Sequence, residues 1–389
     1  MRHHLNLEFF FLIIIISILH LSCQKAAIDV NKAERPNVVL IMTDDQGYGD
    51  LGFTGNTQIQ TPNLDNLAAE STWFTNFYVS PVCAPTRASL MTGKFALRTG
   101  VYDTFNGGAL MDTEETTVAE LLSANGYNTA IYGKWHLGSS YPFRPSDQGF
   151  ETSLIHHGGG IGQYGDPENY FRFDSSYFDP VLFHNNQKIQ SSGYCSDVFS
   201  QGAVDFINTD RENPFFIYLS FNAPHDPLQV PQSWYDKYKD LKFDKEEAQT
   251  TGTQHPEMND WEKENARKVY AMVSNIDYNL GLVIKALKEK GVLDNTVIIF
   301  LSDNGPMSFR YNAKLRAKKS STYEGGVKSP LIIRYPDKFI KGAQIETVSA
   351  HIDILPTILD LCGVPLPQQT DIDGMSLMPL LKGESQDTF

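Results

Sequence analysis

Five stretches of this chain are apolar at nearly every position: Asn37-Val-Val-Leu-Ile-Met42, Thr129-Ala-Ile-Tyr132, Phe215-Phe-Ile-Tyr-Leu-Ser220, Val297-Ile-Ile-Phe-Leu301 and Leu331-Ile-Ile333. A strand with one wet face alternates apolar and polar residues, so runs like these belong to a sheet covered on both sides. Helices supply the cover. Thr61-Pro62 opens one, with an N-cap and proline at the first helical position. Thr117-Val-Ala-Glu120 is a capping box that starts a second, running to Asn125-Gly126. From roughly 262 to 290, Val269, Met272, Val273, Ile276, Leu280, Val283, Ile284 and Leu287 share one helical face, and Gly291 is the stop. Strands alternating with helices predict an α/β fold built on a large mixed, mostly parallel sheet sandwiched between helices. Residues 240 to 265 are polar and charged and read as a surface excursion. The 389 residues, 41% hydrophobic and without a repeat of solenoid period, suit one large domain.

Four of these strands run into polar clusters: Thr43-Asp44-Asp45, Gly133-Lys134-Trp135-His136, Asn222-Ala-Pro-His225 and Ser302-Asp303-Asn304-Gly305. Ligands of open α/β sheets bind at the carboxyl ends of strands, so clusters far apart in sequence can converge there. Asp44, Asp45, Asp303 and Asn304 offer only oxygen donors, a set that suits Ca²⁺ or Mg²⁺ better than zinc. The competing reading makes each pair a helix cap or turn filler. Acidic residues outnumber basic ones, 46 against 32, which argues against a nucleic-acid binder. An anionic substrate must therefore be held by a local cationic pocket. The segment His156-His157-Gly158-Gly-Gly160-Ile-Gly162 lacks the Gly-Lys-Ser/Thr of a phosphate loop and reads either as a substrate-facing loop or as a surface loop.

The apolar run from Phe9 to Leu19 is too short for a membrane span of ~20 residues but suits a signal peptide. It ends in Leu21-Ser22-Cys23, which resembles a bacterial lipobox, although His20 stands where that motif prefers an aliphatic residue. The expectation is a lipoprotein signal over 1–22, a lipid on Cys23 and a tether over 23–35, with plain secretion as the alternative. Cys83, Cys195 and Cys362 would remain in the mature chain, an odd number that suits no disulfide framework.

Cys83-Ala84-Pro85-Thr86-Arg87, followed by Ser89-Leu90-Met91-Thr92-Gly93, resembles the C-x-P-x-R signature of the type I, formylglycine-dependent sulfatases of the alkaline phosphatase superfamily. The resemblance runs from about Pro36 to about Gly383. It implies that Cys83 is converted to formylglycine by a maturation enzyme and that Asp44, Asp45, Asp303 and Asn304 bind Ca²⁺. It further implies that Arg87 and Lys134 hold the formylglycine, that His136 is its base, and that His225 and Lys319 face the sulfate and leaving group. Lys319 is the family lysine by register, with Lys318 where the family usually has glycine. On this likeness residues 36–365 form the catalytic domain. The family usually adds a smaller C-terminal subdomain, so 366–389 is expected to be the start of an incomplete C-terminal region.

The residue types suit that chemistry. A sulfate ester repels nucleophiles unless fixed positive charge surrounds it, and the cation, Arg87, Lys134 and Lys319 would supply that charge. A hydrated aldehyde has two hydroxyls: one attacks sulfur, deprotonated near Asp303, as His225 or Lys319 protonates the departing alcohol. His136 then takes the proton of the other, and sulfate leaves. The expected substrate is a sulfated carbohydrate met by an exported, periplasmic or cell-surface bacterial lipoprotein, touching the membrane through its lipid alone and binding no nucleic acid. A phosphodiesterase or phosphonate monoester hydrolase of the same superfamily is one alternative, and a catalytically silent glycan-binding lipoprotein is another.

Overall fold

The computed structural model describes residues 35–243, 258–336 and 338–384. The expected signal peptide, Cys23 and residues 24–34 of the tether lie outside the described residues, as do 244–257 of the polar excursion. No helix among the described residues is long and apolar enough to cross a membrane.

Strand β1 (Asn37–Thr43) forms the centre of the sheet, and its alternate residues explain why it is apolar throughout. Val38, Leu40 and Met42 enter the core on one face, and Val39 and Ile41 enter the core on the other. With β2 as Thr72–Tyr78, β3 as Asn128–Lys134, β4 as Thr152–His156, β5 as Val181–His184 and β6 as Gln187–Gln190, five further strands complete the set. These are β7 (Phe215–Ser220), β8 (Thr296–Ser302), β9 (Lys328–Arg334), β10 (Gln344–Ile345) and β11 (Ser349–Ala350). Among the described residues they make one sheet in the order β10-β2-β9-β8-β1-β7-β3-β4-β5-β6, with β11 also on β2. The stretch from β8 to β4 is parallel throughout. Pairing turns antiparallel at β9 on one side and at β5 on the other, so the sheet is mixed and mostly parallel.

Helices cover both faces. The helices Cys83–Thr92, Val118–Ala124 and Ile354–Cys362 pack into one core, and the helices Pro62–Ala69, Cys195–Asn208 and Asp260–Glu289 into the other. The capping box at Thr117 forms as expected: Glu120 N–H donates to the Thr117 hydroxyl at 3.1 Å, and Thr117 N–H donates to the Glu120 carboxylate at 2.8 Å. Thr61 departs from expectation. Its hydroxyl accepts from Gly52 N–H at 2.9 Å and donates to Asp65, leaving the helix without a side-chain cap of its own. Asp277 of the long helix takes over, accepting from the backbone N–H groups of Asn63 and Leu64 at 3.2 and 2.7 Å. The long helix also begins earlier than its apolar face suggests. Asn259 and Glu262 form a capping box, so 260–265 belong to the first turns of the helix and not to the surface excursion.

Residues 366–384 return to the main body: Leu377 and Leu381 are buried in the core beside the Cys83–Thr92 helix, and Asp373 and Gly374 N–H both donate to Gly93 C=O.

Candidate active site

The carboxyl ends of β8, β1, β7 and β3 lie side by side, and each predicted polar cluster follows one of them. Backbone bonds lock the ends together: Asp303 N–H to Thr43 C=O at 3.0 Å, Asp44 N–H to Ala223 C=O at 3.2 Å and Phe221 N–H to Met42 C=O at 2.9 Å. Gly133, one residue before Lys134, makes this closeness possible. It has φ +112°, and a Cβ there would lie 1.8 Å from Ser220 C=O. Asp45 and His136 leave the sheet in the left-handed conformation, with φ of 62° and 65°, at a cost of about 1–2 kcal/mol each. Contacts around them must hold that strain.

Cys83 is the first residue of a ten-residue helix whose residues are all buried. The preceding Val82 is extended and no side chain caps the helix, so its N–H-rich, electropositive end is free to face an anion. The Thr86 hydroxyl donates to Asp303 C=O at 2.7 Å and pins this helix to the end of β8. As a result the Cys83 Sγ and a carboxylate oxygen from each of Asp44 and Asp303 all lie within 4.8 Å of one another. Arg87, one turn on, donates to Asp303 Oδ2 at 2.8 Å and to the Ser220 hydroxyl at 2.5 Å. Burial opposes its charge, but Tyr218, Asp303 and Asp44 together hold the guanidinium more firmly protonated than usual.

Lys134 donates its ammonium to Asp44 Oδ2. Lys319 Nζ lies 2.6 Å from Asp45 Oδ1, whereas Lys318 turns away to donate to Met307 C=O at 2.8 Å, so of the two adjacent lysines Lys319 reaches the cluster. Burial raises the Asp44 carboxyl against the pull of Lys134 and Arg87. Burial and the Asp44 charge push Asp303 up to about 6. Burial would raise Asp45 too, but Lys319 and then His225 draw it well below the ordinary range.

Three of the four predicted ligands carry an oxygen that is buried without a hydrogen-bond donor: Asp44 Oδ1, Asp45 Oδ2 and Asn304 Oδ1. Asn304 is oriented by its own amide N–H, which donates to Asp45 Oδ1 at 2.7 Å and leaves Oδ1 aimed elsewhere. Buried acceptors normally find partners. Orphan oxygens on three of the four predicted ligands, with the Asp303 carboxylate alongside, fit a hard divalent cation, which takes about six to eight oxygen donors as Ca²⁺.

His136 is buried, and its Nε2 lies 2.8 Å from Thr104 C=O. A carbonyl can only accept, so Nε2 carries the proton and Nδ1, buried and without a partner, keeps a lone pair. Burial, reinforced by Lys134, lowers its pKa to about 3 and keeps it neutral near pH 7. His225 is set the other way. Its Nδ1 donates to Asp226 C=O at 2.7 Å, and Nε2 faces Asp45 Oδ2 at 3.7 Å. The glycine-rich segment after β4 is no free surface loop: a Cβ on Gly159 would touch the His136 ring at 3.0 Å, and Gly160 to Gly162 are buried. All three cysteines of the described residues are free and buried.

Sequence reading missed a buried ion pair that supports the cluster. Arg310 binds Asp50 through Nε at 2.8 Å and Nη2 at 2.5 Å, and its Nη2 also donates to Asp45 C=O at 3.2 Å. It missed Tyr177 as well, whose hydroxyl donates to His225 C=O at 2.7 Å. Neither carries a local motif that could have revealed it.

With this geometry in place, the family model described as "Sulfatase" matches residues 36–364. The chain belongs to the sulfatase family. These are sulfuric ester hydrolases of the alkaline phosphatase-like superfamily. Human arylsulfatase A is 34% identical over 382 residues, covering 90% of this chain and 68% of that protein. Mouse N-acetylgalactosamine-6-sulfatase is 32% identical over 386 residues, covering 90% and 67%. The sulfatase thus spans about two thirds of the length of these relatives. Among solved structures, Ps i-CgsB in complex with k-i-k-neocarrahexaose is similar with a TM-score of 0.75 and 31% identity over 90% of this chain and 77% of that one. BT4656 in complex with its substrate D-glucosamine-2-N,6-O-disulfate gives 0.74 and 25% over 90% and 81%.

Proposed function

We propose that this sulfatase hydrolyses sulfate monoesters of glycans, using a formylglycine made from Cys83 and a Ca²⁺ ion held by Asp44, Asp45, Asp303 and Asn304. The observation that carries the reading is the placement of Cys83 at an uncapped helix N-terminus, within 4.8 Å of Asp44 and Asp303 and beside three orphan oxygens. A formylglycine there would supply, as its hydrate, one hydroxyl to attack sulfur and a second whose deprotonation expels sulfate, while the cation would supply Lewis acidity toward the anionic ester.

The remaining work falls to the chain. Arg87 and Lys134, both wholly buried, provide charge that water cannot screen. Arg87 also fixes Asp303 Oδ2, so that carboxylate is oriented before substrate arrives. His136 presents the bare Nδ1 of a neutral imidazole and is the base for the second hydroxyl. Lys319 and His225 approach Asp45 and stand on the side from which the alcohol departs. The glycan preference draws support from relatives with sulfated-sugar substrates, including BT4656.

Mass spectrometry of the Cys83 peptide from the native host, together with rates on 4-nitrophenyl sulfate and bis(4-nitrophenyl) phosphate, tests the proposal. Aldehyde at position 83 and faster sulfate release are expected. An unmodified thiol, or faster turnover of the phosphodiester, defeats it.

A further inference from the structure

A neutral imidazole has one protonated nitrogen and one bare one, and only the bare one can act as a base. Burial keeps the His136 ring neutral, so its tautomer matters. The main chain is fastened first. Trp135 N–H donates to His156 C=O at 3.2 Å and His136 N–H donates to His157 C=O at 3.1 Å, which ties the end of β3 to the exit of β4. These bonds place the His136 Cα but leave the ring free to turn about Cβ–Cγ. Two contacts stop that turn. Gly159 lies against the ring, since a Cβ there would stand 3.0 Å from Cε1 and from Nε2. On the same edge Nε2 donates to Thr104 C=O at 2.8 Å. In the opposite tautomer the lone pairs of Nε2 and of this carbonyl would face one another, so the carbonyl selects Nε2–H and leaves Nδ1 bare.

Thr104 belongs to no helix or strand. It is held by a loop, 102–110, that closes on itself. Tyr102 and Asp103 N–H both donate to Gly108 C=O, at 2.9 and 3.1 Å, and Gly108 N–H donates to Phe105 C=O at 2.9 Å. The Asp103 Oδ1 accepts from Thr104 N–H at 2.7 Å and sets the direction in which the chain enters Thr104. Gly108 permits the close approach of the two sides, because a Cβ there would lie 2.6 Å from Asp103 Cβ. Just beyond the loop, Met111 N–H donates at 3.3 Å to the C=O of Leu137, the residue after His136, so loop and base are joined through the ring and through the main chain. The groups of the alcohol-releasing step are placed by other elements: Arg87 orients Asp303, Tyr177 holds the His225 backbone, and Lys319 is paired with Asp45.

We propose that loop 102–110 is a positioning element for the base: Thr104 C=O, aimed by Asp103 and Gly108, sets the His136 tautomer, so the loop governs expulsion of sulfate and not release of the alcohol. On the sulfatase reading above, on which this role rests, Nδ1 takes the proton of the second hydroxyl. The electron pair left behind re-forms the carbonyl, and the C–O bond to sulfate breaks with its pair going to sulfate. A ring that carries its proton on Nδ1 cannot accept another there, and sulfate release stalls.

The test compares wild type, Asp103→Ala, Asp103→Asn and Gly108→Ala as full chains in calcium, with two readouts. In the first, the protein keeps its Cys83 thiol and carries isotope-labelled histidine ring nitrogens, and NMR reads the tautomer of His136, its signals assigned by their loss in His136→Gln. Wild type should show Nε2–H alone. Asp103→Ala and Gly108→Ala should show a mixture with Nδ1–H, and Asp103→Asn, which keeps the acceptor oxygen, should match wild type. In the second, protein with verified aldehyde is mixed rapidly with 4-nitrophenyl sulfate. The first equivalent of 4-nitrophenol per aldehyde should appear at the wild-type rate in Asp103→Ala and Gly108→Ala, while their steady rate falls at least about tenfold and that of Asp103→Asn does not. Signal ratios and rate constants per aldehyde do not depend on how much protein folds. A wild-type ring protonated on Nδ1, or a tautomer unchanged in both Asp103→Ala and Gly108→Ala, overturns the proposal. So does a changed tautomer with an unchanged steady rate, or equal slowing of the first turnover and the steady rate; these outcomes leave the sulfatase reading standing. Wild type with verified aldehyde that turns over no sulfate ester removes that reading itself, and this role of the loop with it.

Discussion

Replacing Arg310 with methionine separates structural support from chemistry. The Arg310 and Asp50 side chains are 1% and 0% exposed, and among the described residues Gly47 N–H at 2.7 Å is the donor that remains to the Asp50 carboxylate once the guanidinium is gone. Removing one partner of a buried pair leaves an uncompensated charge at a cost of about 3–5 kcal/mol. A folded body of roughly 330 residues has an unfolding entropy of about 0.7 kcal/mol per kelvin, so Tm should fall by about 4–7 °C. Differential scanning fluorimetry at one scan rate, with calcium present, reads this directly. Because Arg310 also donates to Asp45 C=O, the calcium concentration needed to stabilise the variant should rise as well. The double variant Arg310→Met with Asp50→Leu removes the stranded charge and should regain at least half of the loss. A single variant with a Tm within 1 °C of wild type, or a double variant no better than the single, would refute the argument that the penalty is an orphaned carboxylate.

Calcium removal by chelation should lower Tm by about 4 °C relative to protein in calcium at a hundredfold over its Kd, since a ligand at that excess contributes about 2.7 kcal/mol. If zinc but not calcium restores Tm, the all-oxygen assignment fails. Asp303→Asn should reduce kcat at least about 100-fold with little change in KM, and steady-state kinetics on an aryl sulfate would show whether the loss lies there. Gly133→Ala places a Cβ 1.8 Å from Ser220 C=O at φ +112°, so it should cost about 3 kcal/mol or more and be seen as a drop in Tm or in soluble yield. Labelled fatty acid should enter the protein in a bacterial host and be absent from Cys23→Ala, while equal labelling of the two would favour plain secretion.

Much of the frame was legible in the amino-acid order. Strands β1, β3, β7, β8 and β9 were readable because a strand buried on both faces needs apolar residues throughout, a local signal that no neighbour can disguise. Thr117 and Glu120 were readable for the same reason, a capping box being complete within four residues. The convergence of Asp44, Asp45, Lys134, His136, His225, Asp303 and Asn304 followed once the strands were taken as neighbours in a parallel sheet.

What tertiary structure alone decided was which group reaches which. Lys318 and Lys319 are equivalent as letters, and only the path of the loop sends one to Asp45 and the other to Met307. The Cys83–Thr92 helix has no periodic apolar face to betray it, because all its residues are buried. Thr61 has the type of an N-cap, yet Asp277, more than two hundred residues away, caps the helix, since a carboxylate brought there by packing outcompetes a hydroxyl already engaged with Asp65. Asp50 and Arg310 likewise lie 260 positions apart. Hydrogen-bond and ion-pair partners depend on distance in space, and sequence order encodes that distance only where the partners share a turn, a cap or a strand.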